Sequence, residues 1–285
     1  MDAKHFLPVG AELGEGPVWI DNALWFVDIK GRHIYRHRPD ASETRRWDAP
    51  ETVGWVLPST RGDLVVGLRS GPHRFSPDTG AFDRIASIDT DLPANRLNDA
   101  AVDARGRIFF GTMDNEEASA SGRVYLLDAG VVHTTVVAPT IITNGPAITP
   151  GGDRLYHVDT LARTIVAHPI GADGLLRPAE PFLTFSGDEG YPDGAICDAE
   201  GGVWLGFFGG WHARRYAPDG TLTDTVEFPV ANITKIALGG PDGRTAWATT
   251  ARLGLDEAAL AAQPLAGDIF TFRVAVPGQK VTAVR

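Results

Sequence analysis

A short pattern, in which a Gly- or Asp-containing turn precedes a β-rich run, recurs six times along the chain. The copies are DNALWFVD (21–28), RGDLVVGL (61–68), RGRIFFGT (105–112), GDRLYHVD (152–159), GGVWLGFF (201–208) and GRTAWATT (243–250). One apolar residue of each copy serves as a marker: Trp25, Val65, Phe109, Tyr156, Trp204 and Trp247. Successive markers are 40, 44, 47, 48 and 43 residues apart. A period of this length is typical of the blades of a β-propeller.

Each copy is followed by further β-like runs, such as RHIYRHRP and AFDRIASI, and turns rich in Gly and Pro separate the runs. With about four strands per copy, six copies fill the 285 residues. We therefore predict an all-β fold, a six-bladed β-propeller with four-stranded blades around a central channel, as a single domain over residues 1–285. A β-sandwich or two stacked barrels is the alternative, but neither explains the long period.

The ends of the sequence should close the ring. The first segment, HFLPVGAE (5–12), and the last, GQKVTAVR (278–285), are expected to share one blade, because closure removes an exposed strand edge. Two short segments, 115–120 and 261–266, have a helical pattern.

Charge and composition exclude several classes of partner. The chain has 26 Lys and Arg against 36 Asp and Glu, and no basic run exceeds two residues, which argues against nucleic acid. No apolar stretch is long enough to span a bilayer, and the N-terminus lacks the apolar core of a signal peptide. The single cysteine, Cys197, suits a reducing compartment. We expect a cytoplasmic monomer with a small-molecule substrate.

Polar residues recur near the start of the predicted inner strands. Four of them lie 10, 10, 12 and 11 residues before the markers of their blades: Glu15, Asp99, Asn144 and Asp193. Because the first strand of every blade lines the channel, such positions face one another around the axis. Glu15, Asn144 and Asp193 are predicted to meet at the channel mouth. The alternative is that they are ordinary turn residues, since Asn-Gly and Asp-Gly are common turn dipeptides.

Two carboxylates and an amide oxygen at one place repel one another unless a cation neutralises them. An all-oxygen set favours a hard divalent ion, Ca²⁺ first, with Mg²⁺ and Mn²⁺ close behind, although Zn²⁺ and Fe²⁺ also accept such ligands. Three protein ligands leave coordination positions open, which a catalytic metal requires.

Four stretches, in this order, carry a resemblance to a known family: LGEGPVW (13–19), NRLNDAAVDARGRIFFGTM (95–113), TNGPAITPGGDRLYHVDT (143–160) and YPDGAICDAEGGVWLGFFGG (191–210). They resemble the regucalcin/gluconolactonase family of sugar-lactone hydrolases, over nearly the whole chain. The resemblance implies a six-bladed propeller with one divalent metal ion held by a Glu, an Asn and an Asp, which match Glu15, Asn144 and Asp193.

The resemblance also implies substrate contacts in the third blade. By motif match these are Arg96 and Asn98 in RLND and Glu116 in the GTMDNEE loop. The family usually has Asn-Asp-Gly where this chain has Asn98-Asp99-Ala100, so the backbone is less permissive here.

The expected reaction is metal-dependent hydrolysis of a sugar acid lactone, a pentono- or hexonolactone, to the open aldonic acid. A metal ion would polarise the carbonyl or lower the pKa of a water molecule. Asp193 is the predicted general base, with Asp99 as the substitute. Trp55 could stack on a sugar face or belong to the core.

Two other readings keep the fold and change the function: a paraoxonase-like esterase, or a non-catalytic propeller that binds calcium or a protein. A serine esterase is unsupported because no G-x-S-x-G motif occurs, and a zinc protease because no H-E-x-x-H occurs. Cys197 and His157 lie in apolar runs and are interpreted as buried core residues.

Overall fold

The computed structural model describes residues 2–285, which form six four-stranded antiparallel sheets. In five sheets the strands follow one another in chain order, and in the sixth the outer strand comes from the start of the chain. The innermost strand of each sheet packs against the innermost strands of its two neighbours. Such an arrangement closes a ring around a central channel, so the predicted all-β, six-bladed propeller is confirmed.

The first three blades occupy the N-terminal half. Blade one has β2 (Gly14–Ile20), β3 (Ala23–Asp28), β4 (His33–Arg38) and β5 (Glu43–Asp48). Blade two has β6 (Val53–Pro58), β7 (Leu64–Leu68), β8 (Gly71–Ser76) and β9 (Ala81–Arg84). Blade three has β10 (Asn95–Val102), β11 (Ile108–Asp114), β12 (Val124–Asp128) and β13 (Val131–Thr134).

The other three blades complete the ring. Blade four has β14 (Thr143–Ile148), β15 (Arg154–Asp159), β16 (Thr164–Pro169) and β17 (Glu180–Thr184). Blade five has β18 (Tyr191–Cys197), β19 (Val203–Phe208), β20 (His212–Tyr216) and β21 (Leu222–Glu227). Blade six has β22 (Ile233–Gly239), β23 (Thr245–Thr250), β24 (Ile269–Arg273) and, as its outer strand, β1 (Lys4–Leu7).

All six repeat markers lie in the second strands of their blades. They are buried between neighbouring sheets in apolar clusters, as with Trp204 against Phe272, whose ring centroids are 5.5 Å apart. The sequence repeat therefore arises because each blade has one buried strand with the same apolar pattern.

The ring closes differently from the prediction in one respect. The two end segments were expected to share one blade, but only the first completes a blade, because β1 pairs with β24 of blade six. Segment 278–285 does not join that blade. It runs beneath the channel, because its backbone bonds to blades two, three and five and its Gln279 side chain reaches blade four.

The path of segment 278–285 is defined by hydrogen bonds. Gly278 pairs with Asp198 of blade five, Val284 with Ser59 of blade two, and the Arg285 amide donates to the Gly106 carbonyl of blade three. The Gln279 side chain donates to the carbonyls of Ile148 and Cys197, on blades four and five, at 2.9 and 3.1 Å. The segment thus covers the lower end of the channel.

A register shift interrupts every inner strand at the same place. It falls between Glu15 and Val18 in β2 and recurs in β6, β10, β14, β18 and β22. Bulges re-aim side chains and are frequent beside functional sites. In this propeller, the bulges bring the polar residues of the inner strands into the channel.

The helical expectation was half right. The one α-helix of the part described, α1 (Glu257–Ala262), lies four residues earlier than predicted and is capped by Asp256, whose carboxylate accepts from the Ala259 amide. Segment 115–120 forms turns instead. Asp114 explains this, because its carboxylate accepts from the amides of Glu116, Ala118 and Ser119 and stabilises a folded loop. No described helix is long and apolar enough to cross a membrane.

Candidate active site

The bulges divide the polar residues into three structural positions. Glu15 and Asn144 occupy the first position of their bulges, Asn98 and Asp193 the second, and Asp99 the third. The sequence offsets treated Glu15 and Asp99 as equivalent, whereas they lie two positions apart. This difference matters because two steps along a strand move a side chain by roughly 7 Å along the channel.

The Glu15 carboxylate is buried near the upper mouth, the end of the channel at which the inner strands begin. It is 4 % exposed, and its Oε2 accepts from the Gly16 amide at 2.7 Å. Burial, and next the charge of Asp99, raises the pKa of Glu15 to about 8, although Lys235 and Arg96 act in the opposite direction. A cation nearby would favour the ionised form.

Asp193 lies in the same electrostatic environment. Burial, followed by the charges of Glu15 and Asp99, raises its pKa well above the ordinary range of a carboxyl group. Its carboxylate accepts no hydrogen bond from the side chains or backbone of residues 2–285. Glu15 and Asp193 therefore lie close enough to repel each other.

Asn144 is connected to the predicted substrate residues. Its Nδ2 donates to the Thr160 hydroxyl at 2.9 Å, and its Oδ1 accepts from Asn98 Nδ2 at 2.9 Å. Asn98 Oδ1 in turn accepts from Arg96 Nη1 at 2.7 Å. The three side chains form one buried chain from blade three to blade four, which fixes the orientation of both amides.

The Arg96 guanidinium is 3 % exposed and has a free donor, because its Nε has no hydrogen-bond partner within the described chain. Burial lowers its pKa to about 10, while Glu117, Glu15 and Asp193 act in the opposite direction. Arg96 therefore stays charged at neutral pH.

The loop after β11 presents Glu117 toward Arg96 more strongly than the predicted Glu116. Glu116 is exposed and accepts from Asn115 Nδ2 at 3.1 Å, whereas Glu117 is the carboxylate with the largest effect on the pKa of Arg96. Lys30 of blade one reaches the same loop, since its Nζ donates to Asn115 Oδ1 at 2.9 Å. The sequence offered two adjacent acids and no signal to choose between them.

Lys235 is a site residue that sequence reasoning missed. It lies on β22, is 4 % exposed, and its Nζ donates to Asp99 Oδ1. A lysine inside the apolar run ITKIALGG was the available signal, because a lysine is almost never fully buried without a partner. Asp99 is thus paired with Lys235 rather than free to act as a base.

The donor set can accept a divalent ion. Glu15 and Asp193 are buried carboxylates with raised pKa values. The side-chain amide of Asn144 is oriented by its Nδ2, which donates to Thr160, and its Oδ1 accepts from Asn98. Within residues 2–285, no group of three or more His, Cys, Asp or Glu side chains has metal-binding geometry, so the amide oxygen is needed to complete the set.

A cavity of about 460 Å³ occupies the channel below these residues. Asp99 and Lys235 line it, together with apolar residues of the inner strands and segment 278–282. Glu15, Asn144 and Asp193 do not line this cavity, which extends from the Lys235–Asp99 pair toward segment 278–282.

Three residues considered from the sequence belong to the core. Trp55 is 1 % exposed and packs against Phe110, so it offers no face to a sugar. Burial raises the pKa of the Cys197 thiol and lowers the pKa of His157 to about 4. Neither has the environment of a catalytic group at neutral pH.

Comparison with known proteins places the chain among relatives of the same architecture. It is 37% identical over 264 residues to the L-arabinolactonase of Azospirillum brasilense, covering 90% of this chain and 87% of that protein. It is 31% identical over 269 residues to the 6-deoxy-6-sulfogluconolactonase of Pseudomonas putida, covering 93% and 92%. The structure of regucalcin from Agrobacterium tumefaciens, described as a calcium-binding protein, superposes with a TM-score of 0.93 at 27% identity, covering 99% and 98%.

A family model described as the SMP-30/Gluconolactonase/LRE-like region matches residues 13–252. This range runs from the loop before β2 to the end of β23, and so contains every residue of the candidate site. The chain belongs to the SMP-30/gluconolactonase family.

Proposed function

We propose that the protein hydrolyses a sugar acid lactone to the open aldonic acid with the help of one divalent metal ion. The observation that supports this most strongly is the pair of buried carboxylates, Glu15 and Asp193, beside the oriented amide of Asn144. The chain's relatives include proteins named for lactonase activity on arabinono-, sulfoglucono- and pentonolactones.

Glu15, Asn144 and Asp193 would hold the ion, with Ca²⁺ the first choice for an all-oxygen set. A bound divalent ion supplies a Lewis acid to the carbonyl oxygen of the lactone.

Asp193 is the proposed general base. Its unpartnered carboxylate accepts a proton from the water molecule whose oxygen attacks the lactone carbonyl. The bond between the carbonyl carbon and the ring oxygen then breaks, and the departing ring oxygen takes the proton from Asp193 to become a hydroxyl group.

The substrate is proposed to lie between the upper mouth and the carboxylates. The Arg96 guanidinium, held in place by Asn98, is the donor we assign to a ring hydroxyl or to the lactone oxygen. Glu116 and Glu117, on the loop at the mouth, are the acids available to accept from sugar hydroxyls. A neutral, polyhydroxylated ring matches this mixture of donors and acceptors.

The test is proton release from a panel of five- and six-membered aldonolactones, with the protein first stripped by chelator and then reloaded with single ions. We expect chelation to abolish the activity and a divalent ion to restore it. Asp193→Asn and Glu15→Gln should each lower kcat roughly 100-fold or more. Asp83→Asn, which removes an exposed carboxylate on the outer strand of blade two, is the matched control. Full activity after exhaustive chelation would contradict the metal mechanism, and wild-type rates in Asp193→Asn would contradict the assignment of the base.

A further inference from the structure

Lys235 and Asp99 form an ion pair that crosses the channel itself. Lys235 is on β22 of blade six and Asp99 on β10 of blade three. In a ring of six these blades are opposite, since the inner strand of each blade packs against the inner strands of the two blades beside it. The two side chains occupy the same third position of their bulges, so both enter the channel at one level.

The pair is built into the fold. Both residues are almost fully buried, with Asp99 1 % and Lys235 4 % exposed. The stem of Lys235 lies against Gly194, where an added Cβ would be 2.6 Å from the Cβ and Cγ atoms of the lysine. Gly194 directly follows Asp193, so the lysine stem packs on the backbone that positions a candidate ligand.

The ammonium group therefore acts on both candidate carboxylate ligands. Its Nζ bonds Asp99 on the opposite inner strand and its stem packs on Gly194, the neighbour of Asp193, so the positive charge lies inside the channel that the carboxylates enter. Its bond to Asp99 Oδ1 also occupies a third carboxylate that could otherwise turn toward a cation, and Asp99 Oδ2 has no partner in the described residues.

We propose that Lys235 is a positioning residue that sets the strength and place of metal binding. Its positive charge weakens the site for divalent ions, and its ion pair withholds Asp99 from the ligand set. The ion is thereby confined to Glu15, Asn144 and Asp193, with exchangeable rather than permanent binding. The inference rests on the proposed metal site.

A cycle of three variants tests the inference: Lys235→Met, Asp99→Asn and the double variant. Affinity for CaCl₂ and MnCl₂ is measured by calorimetry, at an alkaline pH where affinity no longer rises with pH, so that proton release does not enter the comparison. We expect Lys235→Met to bind at least tenfold more tightly than the wild type and Asp99→Asn to bind at least tenfold more weakly. The double variant, which removes one charge of each sign, should lie between them.

The cycle contains two comparisons in which the lysine charge is lost: wild type with Lys235→Met, and Asp99→Asn with the double variant. If Lys235→Met fails to fold because Asp99 is left unpaired, the second comparison gives the same information. If the two proteins of a pair bind the divalent ion with affinities within twofold of each other, the inference is overturned, whereas the proposed metal site stands. A wild-type protein that binds no divalent ion would overturn the metal proposal and this inference together.

Discussion

Single residues of this propeller are constrained by how closely the inner strands approach one another. Gly194 is the clearest case, because the position that follows Asp193 has no room for a side chain beside Lys235. Protein interiors are packed so densely that even one extra methyl group must displace a neighbour. The requirement for glycine here is therefore steric, and it does not come from an unusual backbone angle.

Gly194→Ala should lower the free energy of unfolding by about 1–3 kcal/mol, because the new methyl group overlaps the stem of Lys235. Denaturant unfolding measures the change. Gly187→Ala is the matched control, since a Cβ at that glycine meets nothing within 4 Å. Equal stability of the two variants would show that the inner strands can separate without cost.

At the scale of the elements, sequence periodicity and local register differ in what they reveal. The six second strands could be located because a buried aromatic or aliphatic run recurs once per blade, as with Phe109 and Tyr156. The bulges of the inner strands could not be predicted, because a shift of one or two residues in strand pairing does not change the residue types in the strand. For this reason Asp99 was aligned with Glu15, although it is equivalent to Lys235.

The same limit applies to the site. Glu15, Asn144 and Asp193 were visible as polar residues before the markers, while the partner of Asp99 depends on a contact between opposite blades that no local pattern encodes. The choice between Glu116 and Glu117 depends on the turns that Asp114 organises. Those assignments required coordinates.

The second strand of blade four contains a buried histidine that should make stability depend on pH. His157 is 4 % exposed, its Nε2 has no partner in the described chain, and burial together with the nearby His168 lowers its pKa to about 4. In the unfolded chain a histidine takes up a proton near pH 6.5. Between about pH 6.5 and 4 the histidine is protonated in the unfolded state and neutral in the folded state, so the free energy of unfolding decreases as the pH falls through this range.

Replacing the histidine should flatten this dependence. We expect the loss of unfolding free energy between pH 7 and pH 4.5 to be about 2 kcal/mol smaller in His157→Gln than in the wild type. Denaturant titrations at both pH values provide the measurement. His133→Gln, on an exposed strand of blade three, is the control and should leave the dependence as it was. Identical pH slopes in the wild type and His157→Gln would falsify the assignment.

At the scale of the whole molecule, two segments far apart in sequence hold the ring together. β1 completes blade six through β24, and segment 278–285 contacts blades two to five beneath the channel. Gln279 is central to this arrangement, because it satisfies carbonyl oxygens of two blades at once. One of the two carbonyl groups belongs to Cys197, which also lines the cavity. The reactivity of its thiol can therefore measure how open the cavity is.

Gln279→Ala should open the lower end of the channel. Two carbonyl groups lose their donors, which lowers the free energy of unfolding by about 1–2 kcal/mol. The Cys197 thiol, almost unreactive in the wild type because of burial, should react faster with a thiol reagent. Lys280→Ala, at the exposed neighbouring position, is the control. Equal reaction rates in both variants would mean that Gln279 does not guard the cavity.

The covering of the lower end has a practical meaning for anyone who wishes to attach this protein to a surface. With segment 278–285 below and the Lys235–Asp99 pair across the middle, we expect small molecules to reach Glu15 and Asp193 from the upper mouth. Immobilisation through the underside should leave exchange of small molecules unimpeded, whereas immobilisation through the rim formed by the loop after β11 should block it. The underside of the propeller is therefore the face to attach, and the rim around the upper mouth is the face to leave free.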